Sequence, residues 1–434
     1  MKLTINKNYI YFYITLYEIL MIFYSFFSPL IVTVFQLINN IIILILLRRY
    51  YSVSITLLFM MIINVPLSFI SILGTDISSL PVSWFILYSI FLFIRCLLVN
   101  NLNINTIILA ILLIVYLILN FILLNLSLDG FKQLLMIILF LMSFIIGQNL
   151  SSKPKDCGIN HNLNIIYIYS TFAASVQIFI QYYFINNFDT IIGNFSLYGG
   201  GRSAYSGLFN DNSFVGIYIA SGILLAIINL LDKKKRSMST IIIIIVNSYA
   251  LLLCSSRTGL YALIVVLTLY LTKNSLKGNL KAIFISILIT LLIPSILEYM
   301  LNSRGGTLFD DSGRINDYIS AFTYIKDNIF FGIGLGLDHL ENITNNIVPH
   351  NFFIQYLLQL GLVGTLLITL YCMQLLKIKS STLIYIVLFI VISSMIIPDI
   401  VSSRFFSVII IMYYIEGNKK KRTKQKGLDY ARFN

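Results

Sequence analysis

The sequence predicts an all-α polytopic integral membrane protein, with about 12–14 transmembrane helices and one large external loop before the third-last helix. Of its 434 residues, 58% are hydrophobic and only 11% are charged, and the mean hydropathy is +0.90. Soluble domains carry about 25% charged residues. Apolar runs such as 105–126 and 163–185 have about the twenty residues that a helix needs to cross a bilayer. Because backbone polar groups must be satisfied inside lipid, helices rather than strands are expected to form the spans.

About fourteen apolar segments are expected to cross the membrane. They lie near residues 9–27, 30–47, 53–73, 83–99, 104–125, 132–149, 162–185, 212–231, 238–254, 258–272, 281–298, 350–376, 382–397 and 400–416. The resulting regions are N-terminal transmembrane helices (1–185), an external loop (186–211), central transmembrane helices (212–298), a large external loop (299–349), C-terminal transmembrane helices (350–416) and a basic cytoplasmic tail (417–434). We expect function to reside in the two external loops, because they are large enough to fold outside the bilayer.

Lysine and arginine are concentrated in alternate connections, for example at Arg48–Arg49, Lys233–Arg236 and Lys419–Lys426. Basic residues favour the cytoplasmic side, so both termini of this multi-pass protein are expected to face the cytoplasm. The net charge of +13 is then mostly a consequence of topology. Anionic lipids of the bilayer attract such a basic tail at about 1 kcal/mol per residue. No base-stacking aromatic residues interrupt its lysines, so we expect no nucleic-acid partner.

On the external side of the membrane, the basic residues are expected to be mostly arginines. A guanidinium group binds phosphate through two parallel hydrogen bonds and stays charged when partly desolvated. Arg257 lies in the short polar turn Ser255–Gly259 between two apolar runs, where function and a snorkelling anchor are equally good explanations. Arg202 follows three glycines that allow close approach to a ligand, and Asn212 or Ser213 can cap the next helix. Taken alone, a flexible loop with an ordinary cap explains the Arg202 segment better.

The large loop contains a third arginine, Arg314, at the start of a predicted helix. Apolar residues then recur at helical spacing, which predicts a short amphipathic helix near the membrane surface; they are Ile315, Tyr318, Ile319, Phe322 and Ile325. The glycine run Gly332–Gly336 lacks the strand and the GxGxxG order of a nucleotide-binding loop. It therefore predicts a tight re-entrant or surface turn.

His350 follows Pro349 and is expected at the N-terminal end of an external span. A helix N-terminus disfavours the imidazolium ion, so the neutral ring can accept a proton. For a histidine considered alone, a helix-capping role facing water is the better explanation. The neighbouring arginines are what favour a functional role. Asp310 and Asp311 are a rival base, although a solvated turn explains that pair better. No external set of His, Cys and carboxylates has ligand spacing, so we expect neither a metal nor a cofactor.

Three segments resemble the O-antigen ligase and polymerase superfamily, which includes Wzy-type polymerases and Wzy_C-like segments. The resemblance extends over residues 202–364. Its segments are Ser206–Asn212, Ser256–Gly259, and a block that runs from Ser312-Gly313-Arg314 through Gly332-Ile333-Gly334 and His350-Asn351-Phe352-Phe353 to Gly361-Leu362-Val363-Gly364.

The resemblance implies a metal-independent glycosyltransferase at the outer face of the bacterial plasma membrane, with 299–349 as its catalytic loop. Its donor would be an undecaprenyl-diphosphate-linked oligosaccharide. By resemblance, Arg202, Arg257 and Arg314 bind the diphosphate, His350 activates the acceptor hydroxyl, and Asn351 accompanies it as a catalytic polar residue. Further partners implied are a chain-length regulator and a flippase.

Three functions remain open from the sequence. We favour a polymerase of O-antigen or capsular and exopolysaccharide repeat units, by association with similar Ile- and Asn-rich chains. A ligase would transfer the glycan to a different acceptor. A lipid-linked oligosaccharide flippase is the alternative from another class, but transporters tend to carry mid-span charges and an internal repeat. Glu18 is the main mid-span charge here, and no repeat is evident.

Overall fold

The structure of the protein is a computed structural model, which describes residues 7–77, 80–98, 104–152, 159–198, 202–232, 238–302, 314–345, 348–378 and 383–417. Of the described residues, 79% are helical and very few are in strands, which confirms the all-α polytopic prediction. Over the described ranges, seven helices are long and apolar enough to cross a membrane, and five more are apolar but shorter. The number of crossings stays a prediction.

Sixteen helices and two short strands occur in the described part of the chain. In order, they are α1 (Lys7–Leu20), α2 (Pro29–Arg48), α3 (Val53–Ile63), α4 (Trp84–Leu98), α5 (Ile104–Leu124), α6 (Leu128–Ser152), α7 (Ile159–Phe188), β1 (Phe195–Tyr198), β2 (Arg202–Tyr205), α8 (Asn212–Asp232), α9 (Met238–Leu253), α10 (Arg257–Ser275), α11 (Leu280–Asn302), α12 (Arg314–Asp327), α13 (Leu337–Ile343), α14 (Phe352–Cys372), α15 (Ile384–Ser394) and α16 (404–417). Short 3₁₀ turns extend α1 over Met21–Phe26 and α14 over Met373–Lys377.

One predicted span is wrong in its second half. The span expected near 53–73 is a helix only as far as Ile63, and turns follow it. Pro66 disfavours helical backbone in the residue before it, so the helix cannot continue through this segment. Asn64 ends α3 by donating through its Nδ2 to the Oδ1 of Asn40, 3.1 Å away, and to the carbonyl of Met60, 2.8 Å away.

The chain forms two compact units, and α4 contributes residues to both. The first unit contains α1–α3, α7–α11 and the β-hairpin. In it, α8 and α10 pack closely, since a Cβ added to Gly259 would lie 2.7 Å from the backbone carbon of Gly216. Glu18 is fully buried in this unit and accepts a hydrogen bond from Ser170, 2.8 Å away. Tyr218 in turn donates to Ser170 at 2.9 Å, so this mid-span charge belongs to a buried polar network.

The second unit contains α5, α6 and α12–α16. Helices α5, α6 and α14 pack beside one another, and α12 lies against α14. Helix α14 is broken at Gly361, where φ is 64° and ψ is −170°. The break separates a first half that begins beside His350 from a second half that ends at Cys372.

Candidate functional site

In the first unit, Arg257 is the first residue of α10, as the polar turn predicted. Ser255 adopts a left-handed backbone with φ of 55°, and Ser256 caps the helix by accepting from the backbone N–H of Gly259 at 3.4 Å. Arg257 is partly buried at this helix start. Arg257 thus lies at a helix start, where the helix dipole favours an anion.

The start of α8 lies beside the start of α10. Asp211, rather than Asn212 or Ser213, caps α8, because its Oδ1 accepts from the N–H groups of Ser213 at 2.5 Å and Phe214 at 3.2 Å. The side chain of Asn212 instead donates to the carbonyl of Cys254, 3.1 Å away, just before the Arg257 turn. The first unit thus brings two helix N-termini together next to Arg257. The Asp211 carboxylate already occupies N–H groups of α8, so the start of α10 is the one that favours a phosphate group.

Arg202 lies in a β-hairpin. It is the first residue of β2 and pairs with Tyr198 of β1, so it stands at the hairpin end furthest from α8. Gln181 of α7 secures the base of this loop, since its Oε1 accepts from the N–H of Gly207 at 2.9 Å and its Nε2 donates to the carbonyl of Ile192 at 2.7 Å. Strand β2 packs against α9, the helix that leads to the Arg257 turn. The described part of the 186–211 loop is therefore held in place by hydrogen bonds, which a simple flexible loop would lack.

In the second unit, Asn351 is the N-cap of α14. Its Oδ1 accepts from the N–H groups of Phe353 at 3.0 Å and Ile354 at 3.3 Å, and its Nδ2 donates to the carbonyl of Met395, 3.3 Å away. His350 immediately precedes this cap and is half-buried. The histidine is thus positioned at a helix N-terminus, where the sequence placed it.

Helix α12 contacts the same turn. The hydroxyl of Tyr318 donates to the backbone carbonyl of His350 at 3.0 Å. Arg314 is the first residue of α12 and precedes Tyr318 by about one helical turn. The second unit therefore brings the start of the Arg314 helix to the His350–Asn351 turn. Asp310 and Asp311, the rival base, lie outside the described residues.

A buried polar ladder continues from this turn along α14, and the sequence analysis did not identify it. Gln355 accepts from the N–H of Asp399 at 2.6 Å and donates to the Oε1 of Gln359 at 3.1 Å. Gln359 is bonded to Gln133 of α6, with Nε2–Oε1 distances of 3.0 and 3.1 Å in the two directions. The available signal was the spacing of four between Asn351, Gln355 and Gln359, which places polar residues on one face of an apolar helix.

The glycine run is a tight turn, as predicted: Gly332, Gly334 and Gly336 have φ values of 73°, 110° and 113°. This turn fills the break in α14. The N–H groups of Ile333 and Gly334 donate to carbonyls of the first half of α14, and the N–H of Leu362 in the second half donates to the carbonyl of Ile329 at 2.8 Å. The broken helix ends are thereby satisfied by protein groups, as a membrane interior requires.

The carboxylate of Asp399 contacts α14 in the second unit. The hydroxyl of Tyr356 donates to the Oδ1 of Asp399 at 2.6 Å, which engages that carboxylate inside the second unit. Within the ranges that the structure describes, no three His, Cys, Asp or Glu residues form a group that could hold a metal ion.

Comparison with known protein families gives a match to part of the chain. Residues 240–369 match the family model described as O-antigen ligase (Wzy_C). The match runs from α9 into α14 and includes Arg257, Arg314, His350 and Asn351, whereas Arg202 precedes it. It confirms the resemblance to the O-antigen ligase and polymerase superfamily and indicates glycan transfer in this broad sense. The match spans less than a third of the chain, and no curated protein matches.

Proposed function

We propose, from the premise that residues 240–369 are an O-antigen ligase (Wzy_C) segment, that the protein polymerises undecaprenyl-diphosphate-linked oligosaccharide repeat units. The product would be the O-antigen of lipopolysaccharide, or a capsular or exopolysaccharide, made at the outer face of the bacterial plasma membrane. One observation carries the proposal: within the matched segment, His350 sits at the start of α14 and is bonded to the helix that begins with Arg314.

The proposed reaction is a glycosyl transfer without a metal. The acceptor hydroxyl forms a bond to the anomeric carbon of the donor sugar while the bond from that carbon to the lipid diphosphate breaks. His350 takes the hydroxyl proton, and a positioned base of this kind contributes about 10² to 10⁴ in rate. The departing diphosphate retains the bonding electron pair as negative charge.

Arginines neutralise that charge in this proposal. Arg202, Arg257 and Arg314 bind the diphosphate, and loss of one preorganised contact to a developing charge typically costs about 2.7–4 kcal/mol in the barrier. The start of α10 at Arg257 supports this role, because a helix N-terminus favours phosphate. Asn351 acts with His350, and its bonds to the α14 backbone and to Met395 support a contribution through positioning of the histidine.

The test uses purified protein in lipid with an undecaprenyl-diphosphate oligosaccharide, and product length is followed on a gel. The wild type is expected to give a ladder, and His350→Ala and Arg314→Ala to lose it. Arg49→Ala is the control, because Arg49 is an exposed arginine that caps α2. If His350→Ala kept the full polymer length and rate, the role of this base would be wrong.

Other products would indicate the alternatives. A single glycan added to a different acceptor indicates a ligase, and transbilayer movement of the lipid without any glycan product indicates a flippase. The proposed orientation has its own test, in which cysteines introduced at Arg257, Arg314 and His350 react with an impermeant reagent from the outside. A reaction of any of them from the cytoplasmic side only would contradict the external site.

A further inference from the structure

Helix α12 presents three different faces. The first is buried against α14 and includes Ala321 and Ile325, which form one cluster with Leu358. A second face is polar, with Asn316 and Thr323 exposed. The third face is apolar and yet exposed; it consists of Ile315 (58% exposed), Ile319 (62%) and Phe322 (47%). This third face has the i, i+4, i+7 spacing of a continuous stripe, so α12 is amphipathic even on its unpacked surface.

The exposed apolar surface continues beyond α12. Ile329, Phe330 and Phe331 follow α12 after Asn328, and all three are exposed, the two phenylalanines by 60% and 64%. Three consecutive large apolar residues on a surface would be unusual for a loop in water. Their backbone carbonyls, in contrast, point into the protein and are bonded there.

Those bonds fix the position of the loop along two helices. The carbonyl of Phe331 accepts from the Nδ2 of Asn120, 3.0 Å away, about one turn before the end of the apolar helix α5. The carbonyl of Ile329 accepts from the N–H of Leu362, just after the break in α14, and the helix before the break is roughly 13 Å long at 1.5 Å per residue. The loop thus lies inside the length of two candidate membrane spans.

Helix α5 also indicates what surrounds the loop. Much of its surface is exposed and apolar over its whole length, at residues such as Ile108, Ile111, Leu112, Val115, Leu119, Ile122 and Leu123. A helix of this composition is expected to face lipid. Because Phe331 is bonded to Asn120 of this helix, the exposed apolar loop is continuous with a lipid-facing surface.

We propose that residues 315–331 are a membrane-embedded strap. The exposed apolar face of α12 lies in the interfacial region of one leaflet. This is the leaflet at the His350 end of the second unit. The Ile329–Phe331 loop dips into the hydrocarbon of that leaflet as a re-entrant turn. Irregular backbone is tolerated at such depth only where its polar groups are satisfied by protein, and the bonds to α5 and α14 meet that condition. The partner of this surface is the acyl chains of the bilayer.

Tryptophan fluorescence in vesicles tests the strap. The chain has a single tryptophan, Trp84, so Trp84→Phe provides a silent background. Phe331→Trp, Ile319→Trp and the polar-face control Thr323→Trp are reconstituted in phosphatidylcholine–phosphatidylglycerol vesicles that contain lipids with nitroxide groups at different depths. We expect blue-shifted emission from Phe331→Trp, with quenching by deep nitroxides and little by aqueous iodide. Ile319→Trp is quenched by shallow nitroxides, and Thr323→Trp mainly by iodide.

Two results would overturn the strap. The first is iodide quenching of Phe331→Trp that equals that of Thr323→Trp, since the loop would then face water. The second is shielding from iodide that rises with protein density in the vesicles while nitroxide lipids have no effect, since a second copy of the chain would then cover the surface. If Trp84→Phe impairs folding, Phe331→Trp and Thr323→Trp are compared in the protein that keeps Trp84. The emission of the wild type is then subtracted from that of each variant. These readouts do not require glycan transfer, so they stand apart from the proposed function.

Discussion

The hydroxyl of Tyr318 donates a hydrogen bond to the backbone carbonyl of His350 across 3.0 Å. This bond connects the helix that begins with Arg314 to the residue just before the cap of α14. The imidazole is carried on that short stretch of backbone, so its direction depends on how firmly the stretch is held. Tyr318 is therefore a positioning residue for the proposed base.

Tyr318→Phe removes this bond and keeps the aromatic ring. One such bond is worth about 1 kcal/mol, so we expect about a fivefold lower rate of glycan transfer with little change in the KM for the lipid donor. Tyr324→Phe is the matched control, because it makes the same chemical change on the same helix. Tyr324 packs against the buried cluster that includes Ala321 and Leu358. Initial rates at several donor concentrations measure the effect. Equal rates for both variants and the wild type would refute the positioning role.

Gly361→Ala is expected to destabilise the protein through the break in α14. The φ of 64° disfavours a side chain, and a Cβ at this position would lie 2.3 Å from the carbonyl oxygen of Phe330. Backbone strain of this kind costs about 1–3 kcal/mol, and the clash adds to it. Gly278→Ala separates the two effects, because Gly278 has a φ of 77° but no neighbouring atom within 4 Å. Thermal unfolding in detergent should show the larger loss for Gly361→Ala; equal losses would contradict the contact with Phe330.

The pair Gln133 and Gln359 should behave as one unit. Replacing either by Leu removes both hydrogen bonds between the two buried amides, and the loss of a buried hydrogen-bond partner costs about 1–3 kcal/mol. The double replacement should cost less than the sum of the two single replacements, because both ends of the bond are then removed together. A double-mutant cycle on thermal stability measures this coupling. Additive losses would mean that the two glutamines are independent.

We expect glycan transfer to continue in the presence of EDTA, since fixed guanidinium charge neutralises the diphosphate in the proposed reaction. The gel assay with and without the chelator measures this, and Arg257→Ala is expected to lose activity under both conditions. Loss of the ladder with EDTA, followed by its recovery with one divalent metal, would contradict the proposal.

The sequence predicts the helices well because hydropathy and spacing are local properties. Most predicted spans have a helix at nearly the predicted position, and the helix that starts at Arg314 follows from the recurrence of its apolar residues. The spacing does not reveal that two apolar faces are present on α12. Ala321 and Ile325 pack inward, whereas Ile315 and Ile319 stay exposed, and only the position of α14 separates the two sets.

Features that depend on distant partners were not predictable in this way. The glutamine ladder needs Gln133, which lies more than two hundred residues from Gln359 along the chain. The side chain of Asn212 donates to the carbonyl of Cys254 and does not cap α8. Asp211 is the cap of that helix instead. In each case a polar side chain has several local roles open to it, and a tertiary contact selects one.

The turn that fills the break in α14 also constrains how the chain can vary in length. Its hydrogen bonds run to Leu358 and Gln359 on one side of Gly361 and to Leu362 on the other, so both helix halves fix its register. A residue inserted between Ile329 and Gly334 would displace bonds to one half or the other. Insertions and deletions are consequently expected in the segments that flank this turn and not within it. A tag or a second domain inserted into the chain should likewise avoid residues 329–334.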